Sequence, residues 1–235
     1  MKKIPRWRYW LSHIWEQPLE VTSSEFNEYL QVSLVKGRFQ LTAKEAIYSF
    51  GDYYLNFRKT FQRFQFDQLP SQADVLILGL GLGSIPDMLT NTFGRSYHFT
   101  AVEIDPIIVE LAATYSLPQI NANIEVITSD ALTFLQLDAR QYDLICMDVF
   151  QDAEVPPQFE DPAFLELLKR SLQPKGALIF NRLAANVQDR TKSKKFYEDT
   201  FVTVFPEGVL YNSGGNYMLL NHRKFLNSID EADLS

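Results

Sequence analysis

Residues 74 to 105 constrain this chain more than any other stretch. They read DVLILGLGLGS and run on to HFTAVEID: an apolar run, a Gly-x-Gly-x-Gly turn, a segment of helix length, a second apolar run and an acid at its end. Val75, Leu76, Ile77 and Leu78 carry no polar side chain, which marks a buried strand. Gly79, Gly81 and Gly83 permit a tight turn that brings backbone close to a ligand. Glu103 stands twenty residues beyond Gly83, where a carboxylate can accept hydrogen bonds from both hydroxyls of a ribose. That order builds a pocket for an adenine nucleoside.

The glycine spacing selects among adenine nucleosides. A dinucleotide fingerprint, Gly-x-Gly-x-x-Gly, needs glycine at position 84, and this chain has Ser84 there, which sets a nicotinamide dehydrogenase last. The pattern resembles instead the turn of class I methyltransferases, which holds S-adenosylmethionine and has no pyrophosphate to cradle. A glycine-rich turn by itself also suits a plain strand-to-helix connection. The acid at the end of the next strand is what favours a nucleoside.

At 235 residues the chain can bury a full core as one large domain or as a domain with an appendage. Its 46% hydrophobic and 22% charged residues are those of a globular protein. A net charge of -7 argues against a broad phosphate-binding surface, so no nucleic-acid partner is expected and a cationic small molecule fits better. Cys146, the single cysteine, lies in the apolar run LICMDVF and reads as a core residue in a reducing, cytoplasmic setting. His13, His98 and His222 lack metal-ligand spacing, and no metal is implied. The opening MKKIPRWRYWLSHIW is basic and aromatic without an apolar stretch long enough for a signal peptide or transmembrane helix. Trp7, Trp10, Leu11, Ile14 and Trp15 share one helical face, which predicts a helix within residues 1–17 that packs on its own domain, on another subunit or on a membrane surface.

From 18 to 70 the sequence favours a small antiparallel β domain, with YLQVSLV and RFQLT joined through Lys36 and Gly37, then a helix and linker. From 71 to 235 strands and helices alternate, the pattern of a doubly wound parallel sheet covered on both faces. Strands are expected near 75–80, 98–103, 123–128, 142–148 and 176–181. Asp161 and Pro162 open a helix that Lys175 and Gly176 close. A further helix covers 188–203, and VLYN and NYMLL form a closing hairpin around Ser213, Gly214 and Gly215.

Ligands of such a sheet bind beyond the carboxyl ends of its strands, so polar residues there carry the most information. Glu103, Asp130 and Asp148 end successive strands and are expected on one rim. Asp130, with Ala131 beside it, either accepts from an adenine amino group or caps the next helix, and both roles are compatible. Asp148 follows an apolar strand, where a carboxylate needs a partner or a function, and is the expected catalytic residue. No basic residue lies between Arg140 and Lys169, yet Asp143, Asp148, Asp152, Glu154, Glu160, Asp161 and Glu166 do; such a loop attracts an amine or is a solvated acidic segment with helix-start acids.

VEID at 102–105, SDA at 129–131, YDLICMD at 142–148 and LQPKGALIF at 172–180 resemble, in order and spacing, the spermidine synthases, a branch of the class I methyltransferase fold. Gly37, Gln40, Thr42 and Tyr48 resemble that family's Gly-x-x-Gln-x-Thr strand and following tyrosine. The resemblance implies a class I methyltransferase (Rossmann-like) sheet and a sulfonium donor, S-adenosylmethionine or its decarboxylated form. It places Glu103 at the ribose, Asp130 at the adenine and Asp148 at the attacking amine, with Ile104 and Ala131 in the cofactor-binding set. Gln40, Tyr48 and Asp152 become candidates for acceptor contact. A homodimer is implied as well. Leu82 stands where the family carries an acid in the glycine turn, and VFQDAEVPP replaces its Ser/Thr-rich segment and Asp-Pro, so methyl and aminopropyl transfer both stay open. A protein that binds the nucleoside without chemistry is the alternative.

Overall fold

The computed structural model describes residues 4–44, 46–151 and 155–227. Strands β1 (Gln17–Thr22), β2 (Leu30–Val35), β3 (Arg38–Ala43) and β4 (Ala46–Ser49) form an antiparallel sheet in that order. Beyond it, β5 (Asp74–Leu78), β6 (His98–Glu103), β7 (Asn123–Thr128), β8 (Tyr142–Met147), β9 (Leu172–Leu183), β10 (Val209–Asn212) and β11 (Asn216–Leu220) form one sheet in the order β10-β11-β9-β8-β5-β6-β7. The five strands from β9 to β7 are parallel, and β11 and β10 add an antiparallel edge. This is the class I methyltransferase arrangement.

Side chains alternate across a strand, so each central strand serves two cores. Val75, Ile77, Ala101, Leu144, Cys146 and Ile179 face one core, which they share with Leu30, Val32 and Leu41 of the small sheet. Leu76, Leu78, Val102, Ile145, Met147 and Phe180 face the other, beneath the helices that follow β7, β8 and β9. The chain runs β5, β6, β7 in one direction and then returns to place β8 on the far side of β5. The strand order therefore reverses between β5 and β8, the point at whose carboxyl ends sheets of this kind form a ligand crevice.

Lys36 (φ 50°) and Gly37 (φ 74°) make the two-residue turn expected between β2 and β3, both in the left-handed region that matches strand twist. Helix α1 (Arg6–Leu11) sits over this turn: Gly37 N–H donates to Ser12 Oγ at 2.9 Å and Lys36 N–H to the Ser12 carbonyl at 2.7 Å. It ends earlier than its aromatic periodicity suggests. Trp7, Trp10, Ile14 and Trp15 stay 57–74% exposed, because Tyr9 and Ser12, not the tryptophans, make the contact with the turn.

Two further differences follow from strand pairing. The helix opened by Asp161, α6 (Pro162–Arg170), closes at Arg170, and Lys175 and Gly176 lie inside β9. Tyr142 pairs with Leu172 but Leu144 with Ala177, so the intervening residues form a bulge that lets β9 begin earlier than the ALIF run. β5 stops at Leu78, giving Gly79 and Leu80 to the turn.

Helix α2 (Leu55–Arg63) links the small sheet to β5, and α4 (Pro106–Tyr115) follows β6. Asp105 caps α4 by accepting Ile107 N–H at 2.9 Å, and it also accepts Ser24 Oγ–H at 2.5 Å and Asn27 Nδ2–H at 2.7 Å from the β1–β2 loop. One fully buried carboxylate thus joins the small sheet to the large one. Asp105→Ala should cost about 3 kcal/mol from a lost cap and two charge-assisted hydrogen bonds. The urea midpoint checks this; an unchanged midpoint would show that these bonds do not hold the sheets together.

Candidate active site

The glycine turn closes the crevice from the β5 side. Gly79, Gly81 and Gly83 adopt φ of 92°, 53° and 83°, conformations that L side chains rarely take. A Cβ at Gly79 would lie 2.3 Å from the carbonyl oxygen of Asp148, and one at Gly81 would lie 3.1 Å from Ser49 Cβ and 3.3 Å from the Tyr48 carbonyl. The turn is therefore packed between the end of β8 and the small sheet. Ser84 opens α3 (Ser84–Asp87) and locks this packing, with its hydroxyl 2.6 Å from Ser49 Oγ and accepting Phe50 N–H at 3.0 Å. Leu82 is buried within the turn.

Glu103 ends β6 directly beneath the turn. Its Oε2 accepts Leu80 and Gly81 N–H, both at 3.1 Å, and its Oε1 accepts Asp105 N–H at 3.2 Å. Burial raises its pKa, and these backbone donors offset part of the rise. Ile104, the next residue, is 39% exposed. Asp130, at the end of the edge strand β7, caps α5 (Ala131–Leu137) by accepting Thr133 N–H at 2.9 Å; Ala131 is buried at the start of that helix.

Asp148 lies across the crevice, half-buried at the end of β8. Its N–H donates to Leu78 O at 2.8 Å, continuing the sheet. Its Oδ1 accepts Tyr54 Oη–H at 3.1 Å and Asn181 Nδ2–H at 2.8 Å, while Oδ2 has no hydrogen-bond partner among the described residues. Burial pushes its carboxyl pKa up to about 7; the hydrogen bonds from Asn181 and Tyr54 pull it down, and the charge of Glu103 pushes it up. The Tyr54 phenol is pushed well above its ordinary value by burial and by Asp148. A carboxylate with a pKa near neutrality at the carboxyl end of a central strand can accept and return a proton at physiological pH.

The spermine/spermidine synthase domain model matches residues 64–210. The chain belongs to this family. A polyamine aminopropyltransferase of Vibrio vulnificus is 31% identical over 160 residues, which cover 65% of this chain and 51% of that relative. The chain spans about half the length of the aminopropyltransferase it matches. The spermidine synthase of Thermotoga maritima superposes with a TM-score of 0.66 at 14% identity, over 93% of this chain and 84% of that one, and so shares the fold. Human methyltransferase-like protein 13, in complex with S-adenosylhomocysteine (SAH), superposes with a TM-score of 0.53 at 26% identity, over 70% and 75% of the two chains.

In this member of the spermine/spermidine synthase family, the charge of Glu103 adds to the rise of the Asp148 pKa, whereas Asp130 is engaged at its helix cap. The Tyr48 backbone lies against Gly81, and its hydroxyl donates to Asn27 Oδ1 at 3.1 Å. Gln40 donates to Thr42 Oγ1 at 3.0 Å within its own strand. Asp152 and Glu154 lie outside the described residues. Other acids of the 141–168 segment have structural work: Asp143 accepts Asp74 N–H at 2.9 Å, Glu160 pairs with Arg182 at 2.5 Å, and Asp161 caps α6. Among the described residues no group of three or more His, Cys, Asp or Glu is placed to hold a metal, and no helix is long and apolar enough to cross a membrane. Tyr54 and Asn181 were not anticipated. Asn181 follows the apolar run ALIF within β9 much as Asp148 follows LICM, so a polar residue after an apolar run finds it once amides are counted; Tyr54 precedes α2 in a loop without a local signal.

Proposed function

We propose that this chain transfers an alkyl group from the sulfonium of an S-adenosylmethionine-type donor to the nitrogen of a small amine. The observation that carries the reading is Asp148, with one oxygen held by two donors, the other unpartnered among the described residues, and a pKa near neutrality. An alkylammonium, with a pKa of about 10, has no lone pair to attack with until a base takes its proton. Asp148 accepts that proton; the nitrogen lone pair then forms the new N–C bond as the C–S bond breaks, and the electron pair stays on sulfur as a neutral thioether. The resulting secondary ammonium keeps the positive charge.

The donor's nucleoside fits the residues opposite. Glu103, with three backbone donors, keeps a lone pair on Oε1 for a ribose hydroxyl. Ile104 offers an exposed apolar face for adenine, and Asp130 and Ala131 follow the end of the neighbouring strand β7.

Family membership and the Vibrio relative favour aminopropyl as the transferred group. Methyl transfer is the second reading, favoured by Leu82, which brings an apolar side chain where a propylamine would need a negative charge, and by the SAH-bound human neighbour. Calorimetric titration with the two nucleoside products separates them. Tighter binding of methylthioadenosine is expected; a preference for SAH would reassign the group to methyl, and binding of neither would remove the nucleoside site.

A further inference from the structure

Asn181 meets Asp148 with its amide nitrogen, and its carbonyl Oδ1 in turn accepts Asn216 Nδ2–H at 2.9 Å. An asparagine side chain has one donor end and one acceptor end, so these two contacts are coupled. A donor on the Asn216 side obliges Asn181 to present NH2 to Asp148. Turned by half a rotation, Asn181 would set its carbonyl oxygen against a carboxylate oxygen with no proton between them.

Both amides have backbones fixed by strand pairing. Asn181 is 1% exposed in β9, opposite Met218, and Asn216 opens β11 opposite Leu183. The carbonyl of Asn216 accepts Ser213 N–H at 2.9 Å and Ser213 Oγ–H at 3.0 Å, which anchors the start of that strand. With Asn216 presenting its nitrogen, the buried Asn181 amide has one orientation that satisfies both of its neighbours.

We propose that Asn216 is a positioning residue: by donating to Asn181 it keeps that amide's nitrogen toward Asp148, so that Oδ1 is saturated by Asn181 and Tyr54 and Oδ2 is left to receive the acceptor's proton. The catalytic consequence rests on the reading of Asp148 as proton acceptor; the orientation itself does not. The other titratable groups that face Asp148 are Tyr54, Glu103 and Cys146, and the test leaves all three in place.

Asn216→Asp turns the donor into an acceptor and draws the Asn181 nitrogen away from Asp148. Carbon-13 NMR titration of the Asp148 carboxyl in the full chain should show its midpoint rise by about one pH unit. The acid limb of kcat/KM should move with it, while methylthioadenosine affinity stays unchanged. In an Asn181→Leu background no amide can turn, and the same Asn216→Asp change should move the midpoint by less than half as much, through charge repulsion alone. Equal shifts in the two backgrounds, or an unmoved midpoint in the single variant, would overturn the proposal. Absence of turnover with every amine would count against the proposed function only, since the NMR midpoints still report the amide's orientation. If Asn216→Asp does not fold, Asn216→Leu should still raise the midpoint, by about half a unit, and no rise would again overturn it.

Discussion

Asp148→Asn should lower turnover by about 10²- to 10⁴-fold, the usual worth of a positioned general base, while leaving methylthioadenosine binding nearly intact. The amide can still accept from Tyr54 and Asn181, so the crevice keeps its shape, but it cannot take a proton. Turnover by the wild-type chain should fall as pH drops below about 7, because protonated Asp148 no longer serves as a base. The same substitution should stabilise the fold at alkaline pH. The carboxyl pKa is raised in the folded state, so between its ordinary value of 3.8 and about 7 the folded chain holds a proton that the unfolded chain has released. Stability therefore falls as pH rises through that window, and an amide escapes the fall, with a gain on the order of 4 kcal/mol above pH 7. Urea unfolding at pH 5 and pH 8 checks the sign. A variant that keeps wild-type turnover would exclude Asp148 from the chemistry.

Gly79→Ala should be the most damaging single-methyl change in the molecule. Its Cβ would meet the Asp148 carbonyl at 2.3 Å, and both the Cβ position and its neighbour are set by the backbone, so no rotamer relieves the contact. Adding the strain of φ 92°, the loss should be about 3–5 kcal/mol. Relief by displacing the end of β8 would carry Asp148 with it, so residual folded protein should also lose turnover. Gly94→Ala provides the control: φ there is also positive, at 65°, but no atom lies within 4 Å of the added methyl, and only the conformational cost of about 1 kcal/mol remains. Equal urea midpoints for the two variants would show that the turn is not wedged against β8.

The parts of this site that are legible in the sequence are those that strand ends announce. Glu103 and Asp148 follow apolar runs whose burial leaves a polar terminus little choice but the rim of the sheet, and the glycines ahead of them mark a turn that side chains cannot make. What surrounds Asp148 is set at long range. Tyr54 is 94 residues away in sequence and Asn181 is 33, and neither stands in a local pattern that names its partner. The Pro-Lys-Gly of β9 reads locally as the end of a helix, but pairing with β8 overrides it and makes a bulge. The aromatic stripe of α1 has helical spacing and yet is exposed, because periodicity records which residues share a face and is silent on what meets that face.

The small sheet and the large one also have a consequence for how this molecule can be divided. One apolar core runs without interruption from Leu30, Val32 and Leu41 into Val75 and Ile77. The glycine turn rests on Ser49, and Asp105 is held by Ser24 and Asn27. A chain cut near residue 70 would retain every parallel strand and every carboxylate of the crevice while exposing the apolar side that the first seventy residues cover. The boundary between the two sheets is thus a boundary in the order of the chain and not in its architecture. Exchanging the front portion for that of a relative would have to carry Ser24, Asn27, Ser49 and Tyr54 along with it, because the crevice is assembled from both sides of that line.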